Sequence, residues 1–163
     1  MAINERLRHE IERRGIRCQL LQHREAFTSQ QVAQTTHVSG RFLAKPVILR
    51  EEGGSYTMAI VSAGEHVDLA AIPHAGVGRA QLADEIELAK LFPDCEVGAM
   101  PPVGRLYGLP TYLDEEFRRR PDIYFQAGNH HEVVHMKFAD YEKLAGPFAG
   151  EFTLHREPSK LGG

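Results

Sequence analysis

Hydrophobic residues recur at helical spacing at the start of the chain. Ile3, Leu7 and Ile11 are four positions apart, and Gly15 follows them. This pattern predicts a short amphipathic helix that packs through its apolar side and ends at the glycine.

A strand and a second helix are predicted next. Residues 16–23 have the composition of a strand, and residues 28–40 that of a helix. Thr28 or Ser29 is the predicted N-cap, and Gly40 closes the loop that follows the helix.

The clearest pattern in the chain predicts a β-hairpin. Residues 45–50 and 55–62 are apolar runs rich in β-branched side chains, and "EEGG" separates them. Two such runs on either side of a glycine turn are typical of paired antiparallel strands.

Residues 78–93 have helical periodicity. Leu82, Ile86 and Ala89 share one side of the predicted helix, and Pro93 ends it. The next segment, residues 95–110, instead contains three glycines and three prolines. This density predicts ordered turns with exposed backbone.

The last part of the chain predicts three further elements. A helix is expected over 114–121 with Asp114 as its N-cap, then a strand over 122–128, and a final helix over 138–146. The polar tail after Phe152 is expected to fray.

Length and composition indicate one domain spanning residues 1–163. A chain of 163 residues with 42% hydrophobic content can bury a core without disulfides or metals. Interspersed helices and strands with a hairpin predict an α+β (mixed α/β) fold, with a single mixed sheet and helices packed around it.

Charge and cysteine content narrow the classes of function. A formal charge of -3, from 22 acidic and 19 basic residues, argues against a DNA-binding protein that wraps its partner, but leaves a local contact with an RNA end open. Cys18 and Cys95 lack C-x-x-C spacing, which favours reduced thiols. The charged start and the lack of a long apolar stretch predict a cytoplasmic protein outside the membrane.

Residues 131–135, "HEVVH", match the H-E-x-x-H pattern of zinc hydrolases. The pattern holds zinc only on a helix, since the two histidines of a strand would be about 13 Å apart. The glycine turn before it and the β-branched Val133 and Val134 favour a hairpin of 122–126 with 131–136. A helix, with Val134, Phe138 and Tyr141 on one side, stays open as an alternative.

Three segments, in this order, resemble the YbaK/ProX family of bacterial prolyl-tRNA editing domains. They are "AKPVILR", "FPDCEVGAMPPVGRLYGLP" and "DIYFQAG", and the similarity covers roughly residues 20–146. The resemblance implies a mixed sheet with helices around it. It also implies an enzyme that hydrolyses amino acids wrongly attached to tRNA.

The resemblance also implies site residues. Lys45 matches the family's lysine and would hold a phosphate of the terminal adenosine, although most strand-end lysines are simply solvated. Gly98 begins the G-x-x-x-P loop, whose backbone would orient the ester. The plain alternative for this loop is a surface turn. Pro46 departs from the polar residue that some branches carry, which leaves substrate choice open.

The aminoacyl pocket is expected between this loop, Leu109 and the turn at 127–130, with Met100 and Val103 meeting the amino acid. His130 borders the pocket by family analogy, and a surface turn histidine is the equal alternative. The predicted substrate-binding residues are Ala99, Met100, Pro101, Pro102, Val103, Gly104, Leu109, Gly128 and His130.

Three functions follow from these patterns. The first is a free-standing deacylase of mischarged tRNA, expected to act on tRNA(Pro) carrying a small amino acid, with alanine favoured over cysteine and serine. Its partners would be the acceptor 3′ end and prolyl-tRNA synthetase. It would need no cofactor or metal, because the ester is already activated and the substrate supplies a 2′-hydroxyl. The alternatives are a non-catalytic module that binds tRNA or a nucleotide, and a zinc-dependent hydrolase using "HEVVH".

Overall fold

The computed structural model describes residues 4–23, 29–36, 38–71 and 80–154. Within these residues the helices are α1 (Glu5–Arg13), α2 (Ser29–Thr36), α3 (Glu85–Leu91) and α4 (Phe138–Ala145). The strands are β1 (Gln19–Gln22), β2 (Leu43–Arg50), β3 (Tyr56–Ser62), β4 (Gln81–Leu82), β5 (Thr111–Asp114), β6 (Asp122–Gln126), β7 (Glu132–Lys137) and β8 (Phe148–Gly150). Short 3₁₀ helices cover Leu69–Ala71, Gly104–Tyr107 and Glu115–Arg119.

All eight strands join one mixed sheet. The strand order is β1-β7-β6-β2-β3-β5-β8, and β4 also pairs with β2. The pairs β2/β6, β3/β5 and β5/β8 are parallel, and the other pairs are antiparallel. The predicted fold class, a single mixed sheet with helices around it, is confirmed.

The two faces of the sheet bury different clusters. Because side chains alternate along a strand, Ala44 and Ile48 of β2 point into the largest core cluster, which includes residues of α1 and α4. Leu43 and Leu49 point to the opposite face, where Leu43 packs against Val32 of α2. Residues of β2 therefore reach one face or the other according to whether their number is even or odd.

The two hairpins and the first and last helices are confirmed. Strands β2 and β3 pair with Lys45 opposite Val61, and β6 pairs with β7. Helix α1 buries Leu7 and Ile11, and its predicted third apolar residue, Ile3, lies outside the described residues. Helix α4 ends where Gly146 adopts a φ of 54°.

The helix predicted over 78–93 is shorter than expected. It begins at Glu85, after Asp84 forms a capping box with Glu87, and the residues just before it extend into strand β4. The predicted apolar side is wrong, because Leu82 and Ile86 are 61% and 69% exposed. Leu88 and Leu91 pack against the core instead.

The segment predicted as a helix over 114–121 is a 3₁₀ helix at Glu115–Arg119. Asp114 caps it as predicted, since its side chain accepts from the backbone N–H of Glu116. Asp114 also ends strand β5, which the sequence patterns missed together with β8. Both strands are at most four residues long, too short for a period to show.

Helix α2 begins at Ser29, so the N-cap alternative Thr28 lies outside the described residues. The strand predicted over 16–23 is confirmed as β1. The polar tail beyond Leu154 also lies outside the described residues. Across the described ranges, no helix has the length and apolar character needed to cross a membrane.

Candidate active site

The loop that contains Gly98 is joined by backbone hydrogen bonds to the turn after β6. The N–H of Glu96 donates to the carbonyl of Gly128, and the N–H of Gly128 donates to the carbonyl of Ala99, both at 2.8 Å. The N–H of Ala99 also donates back to the carbonyl of Glu96 at 3.0 Å. These three bonds hold the loop and the turn as one unit.

Gly98 is the residue that this unit leaves exposed. Its φ is 89°, in the left-handed region that a side chain disfavours. Within the described part of the chain, the N–H and C=O of Gly98 make no hydrogen bond. An exposed backbone N–H and an exposed backbone C=O without partners are available to a ligand.

His130 supports the loop from the turn. Its side chain is buried, and Nε2 lies 3.0 Å from the carbonyl oxygen of Val97, the residue before Gly98. Nε2 is also 3.9 Å from the Glu96 carboxylate. The surface-histidine alternative is therefore wrong, and His130 contacts the loop rather than open solvent.

Position 128 requires glycine for two physical reasons. Its φ is 100°, and a Cβ there would lie 2.8 Å from the Cβ of Asn4. Asn4 itself donates its backbone N–H to the carbonyl of Ala127 and its side-chain amide to the carbonyl of Asp94. Asn4 thus ties the start of α1 to both the turn and the loop, a role for which the sequence offered no motif.

A side chain of α4 holds the end of the loop that contains the two prolines. The Tyr141 hydroxyl donates to the carbonyl of Pro102 at 2.6 Å, and burial raises the pKa of Tyr141, which keeps the donor neutral. The N–H of Val103 also donates to the carbonyl of Pro101 at 2.8 Å. The prolines therefore lie against the core on a fixed backbone.

Several predicted pocket residues have a packing role instead. Ala99, Met100 and Val103 are at most 3% exposed, and Met100, Val103 and Leu109 belong to the largest core cluster. Their side chains fill the core, so this segment can offer a ligand its backbone and not the apolar side chains that we expected to meet the amino acid.

Gly104 is also explained by packing. A Cβ there would collide with the Thr111 hydroxyl and lie 2.6 Å from the carbonyl oxygen of Leu109. Its N–H donates to the Thr111 hydroxyl at 3.0 Å. Gly104 therefore allows the 3₁₀ turn to approach β5 closely.

Lys45 lies on the sheet face opposite to those core side chains. It shares the odd-numbered face of β2 with Leu43 and Leu49, and its ammonium donates to the carbonyl of Glu65 at 2.5 Å. That bond uses one of the three donors of the ammonium. Burial lowers the pKa of Lys45, and the nearby Glu65 carboxylate partly opposes this.

Lys45 and the loop are nevertheless brought to the same end of the sheet. Strand β6 runs parallel to β2 with Ala44 paired to Phe125, which places Gln126 beside Lys45 on the same face. Two residues later, Gly128 bonds to the loop. Gln126 is 4% exposed, and its Nε2 has no hydrogen-bond partner among the described residues. Sequence reasoning missed this buried amide, because nothing in a strand pattern marks it.

The "HEVVH" segment does not form a zinc helix. His131 lies in the turn, and His135 lies in β7, where its ring stacks on Tyr124 at 4.2 Å. The two ring nitrogens of His135 lie 2.9 Å from Gln19 Oε1 and 3.1 Å from Asp122 Oδ1. The helical alternative is wrong, and no group of three His, Cys, Asp or Glu side chains within the described ranges is arranged to hold a metal.

Solved structures with a similar fold cover nearly the whole chain. One is described as a proposed trans-editing enzyme for prolyl tRNA synthetase, with a TM-score of 0.78, 21% identity, and coverage of 93% of this chain and 97% of that chain. A hypothetical protein has a TM-score of 0.81 at 18% identity, with 92% and 100% covered. A computationally designed epitope scaffold has a TM-score of 0.79 at 21% identity, with 94% and 97% covered. At these identities the likeness concerns the fold.

The sequence itself matches a known family. No curated protein is significantly similar to the chain. Residues 23–144, however, match the aminoacyl-tRNA editing domain, and this range is well over half of the chain and contains Lys45, the Gly98 loop and His130. The protein therefore belongs to the aminoacyl-tRNA editing domain family.

Proposed function

We propose that this protein is a free-standing deacylase that hydrolyses the ester of mischarged aminoacyl-tRNA. The observation that carries the proposal is that the backbone N–H and C=O of Gly98 are exposed and without hydrogen bonds within the described residues, while the carbonyls of Val97 and Ala99 are bound. His130 binds the carbonyl of Val97, and Gly128 binds that of Ala99. A backbone N–H that is held in place and has no other partner can stabilise the negative charge that develops on the ester oxygen.

In the proposed reaction, a water molecule attacks the carbonyl carbon of the ester that joins the amino acid to the terminal ribose. The Gly98 N–H donates to the oxyanion as it forms, and the Gly98 carbonyl orients the water or the neighbouring ribose hydroxyl. The ester C–O bond then breaks, the ribose oxygen takes a proton, and the amino acid leaves as a carboxylic acid.

Lys45 is proposed to hold the tRNA end. Its ammonium has two donors beyond the bond to Glu65 and lies at the end of the sheet where the loop begins. A phosphate of the terminal adenosine would be bound there as a compact anion.

The proposed substrate is tRNA(Pro) charged with a small amino acid, alanine before cysteine and serine. The fold's likeness to a proposed trans-editing enzyme for prolyl tRNA synthetase supports tRNA(Pro), and makes that synthetase the proposed partner. A rigid loop close to the ester favours small side chains, and correctly charged prolyl-tRNA must be excluded for editing to be useful. Neighbouring small side chains should be separated weakly, since one methylene is worth about 1 to 3 kcal/mol.

The test compares hydrolysis of alanyl-, cysteinyl-, seryl- and prolyl-tRNA(Pro) by the purified protein. We expect alanyl-tRNA(Pro) to lose its amino acid fastest and prolyl-tRNA(Pro) to survive as in buffer. Binding of tRNA without hydrolysis of any mischarged form would instead establish the non-catalytic module. Rapid prolyl release, or preference for a large side chain, would contradict the proposed substrate.

A further inference from the structure

Asn4 makes more contacts with the loop that contains Gly98 than a helix cap requires. As the N-cap of α1, its Oδ1 accepts a hydrogen bond from the N–H of Leu7 at 3.1 Å. Aspartate or serine could fill that role equally well. Asparagine also carries an amide donor, which those two residues lack. Here the amide Nδ2 reaches the loop, at 3.0 Å from the carbonyl oxygen of Asp94 and 3.6 Å from Cys95 Sγ.

The rest of Asn4 contacts the turn after β6. Its backbone N–H donates to the carbonyl of Ala127 at 2.8 Å. Its Cβ lies so close to Gly128 that a Cβ on residue 128 would be 2.8 Å away. Asn4 is 8% exposed, so losing one of these hydrogen bonds would leave a buried polar group unsatisfied.

Asn4 therefore completes the connection between the loop and the turn. The bonds of Glu96 and Ala99 to Gly128 join the two segments directly. Asn4 joins the residues just before them, 94 and 95, to residue 127. Because the N–H and C=O of Gly98 make no hydrogen bond within the described residues, the position of Gly98 depends on these bonds of its neighbours.

A second residue of α1 adds a contact at the surface. Arg6 Nε donates to the Asp94 carboxylate at 2.9 Å, and Nη1 donates to the carbonyl of Leu106 at 3.1 Å. The Arg6 side chain is 49% exposed, so this ion pair contributes less than the buried amide of Asn4. Helix α1 lies before residue 23, where the match to the editing domain begins, and the family match therefore gives it no role.

We propose that Asn4 is a positioning residue for ester hydrolysis, which fixes the Gly98 N–H at the place where the ester oxygen becomes charged. The inference rests on the proposed deacylase function and adds to it a residue outside the family match. No hydrogen bond among the described residues joins Asn4 to Lys45 or to Gly98 itself. Loss of the Asn4 amide should therefore move the loop and leave the anchoring of the tRNA end intact.

Asn4→Ser tests this role in catalysis, because serine keeps the cap of α1 and removes the amide donor. We expect the maximal single-turnover rate on alanyl-tRNA(Pro) to fall about 10-fold or more, since a shift of about 1 Å can cost about 100-fold. The tRNA concentration that gives half of this rate should stay within about twofold of the wild-type value, because the lost interaction acts only in the transition state.

Two control variants should keep the wild-type rate below their melting temperatures. Arg8→Ser removes exposed ion pairs with Glu5 and Glu12 from the same helix without touching the loop. Phe152→Leu lowers stability in the core cluster on the other face of the sheet. A loss of rate that is as large in these controls as in Asn4→Ser would overturn the positioning role.

Hydrogen exchange of backbone amides measures the loop without tRNA. In Asn4→Ser, or in Asn4→Asp should the first variant not fold, the amides of Glu96 and Gly128 should exchange about 10-fold faster or more, because their bonds join loop and turn. The amide of Val103, at the proline end, should exchange as in the wild type.

The two measurements separate this inference from the proposed function. Unchanged exchange at residues 96 and 128 would overturn the positioning role, as would faster exchange with an unchanged rate of hydrolysis. A wild-type protein that hydrolyses none of the aminoacyl-tRNAs would instead contradict the proposed function. The exchange rates would then still decide whether Asn4 holds the loop.

Discussion

The Nε2 atom of His130 lies 3.0 Å from the carbonyl oxygen of Val97, which belongs to the peptide bond just before Gly98. His130 therefore acts on the proposed reaction through the position of the loop, as a positioning residue. Its buried ring is held between the turn after β6 and the loop itself.

His130→Ala should lower kcat for alanyl-tRNA(Pro) by about 10- to 100-fold, because a loop shift of about 1 Å is enough to misplace the oxyanion donor. His130→Gln, which can still donate to the Val97 carbonyl, should recover part of the loss. Single-turnover kinetics and NMR signals of residues 96–99 measure both effects. Equal loss in the two variants, with unchanged loop signals, would contradict the positioning role.

Lys45→Ala should reduce kcat/KM for deacylation by about 100-fold or more. The proposed phosphate anchor is lost in the transition state as well as in the ground state, relative to free tRNA. Lys90→Ala removes an exposed lysine from α3 and is the matched control. Steady-state kinetics on alanyl-tRNA(Pro) separate the two. Full activity in Lys45→Ala would remove the anchor from the mechanism.

Lys45→Met should leave the melting temperature unchanged or raise it. Burial lowers the pKa of Lys45 in the folded state, so the folded protein disfavours its charged form. The resulting penalty is present below the folded pKa and fades as the pH rises toward the unfolded value. Melting curves at neutral and at alkaline pH should therefore show any gain of the variant shrink at alkaline pH. A clear loss of stability at neutral pH would show that the bond to Glu65 outweighs burial.

Gly98→Ala should abolish most deacylation while costing little more stability than Gly53→Ala. Both glycines have a φ near 90° to 100°, but Gly53 lies in the β2/β3 hairpin with open space around it. The two variants thus share a backbone strain of about 1 kcal/mol or more, and only one touches the proposed site. Urea unfolding measures the strain and deacylation rates measure the function. Comparable activity in both variants would exclude the Gly98 peptide from catalysis.

Tyr56→Phe should weaken the acid sensitivity of the fold. The Tyr56 hydroxyl donates to the Glu87 carboxylate at 2.5 Å, and this bond, with the N–H of Asp84 and Arg50, lowers the pKa of Glu87 to about 2. The stability contributed by Glu87 is complete above its unfolded pKa of 4.5 and is lost as the pH falls through about 2. Unfolding at a series of pH values should show a smaller decline for Tyr56→Phe than for wild type or for the control Tyr124→Phe. An identical decline of stability in all three proteins would show that the Tyr56 hydroxyl does not affect the titration of Glu87.

The local pattern of the sequence was sufficient to predict those elements that form between neighbouring segments of the chain. Runs of β-branched side chains around glycine turns predict β2/β3 and β6/β7, since a hairpin needs only neighbouring segments and a turn. The strand at residues 132–137 is enough to exclude the zinc site, because histidines four residues apart come close together only on a helix. Lys45 and Gly98 were recognised as site candidates through family resemblance.

Only the tertiary structure decided which face or partner each residue has. Leu82 and Ile86 fit a helical stripe, yet Leu82 lies in β4, because pairing with the distant strand β2 outweighs local periodicity. Ile86 is in helix α3 but is exposed, because that helix packs Leu88 and Leu91 against the core instead. Met100 and Val103 were assigned to a pocket, but the packing of the loop against α4 turns their side chains into the core. The contacts of Asn4 with residues about 90 positions away depend on chain folding, which no spacing in the sequence encodes.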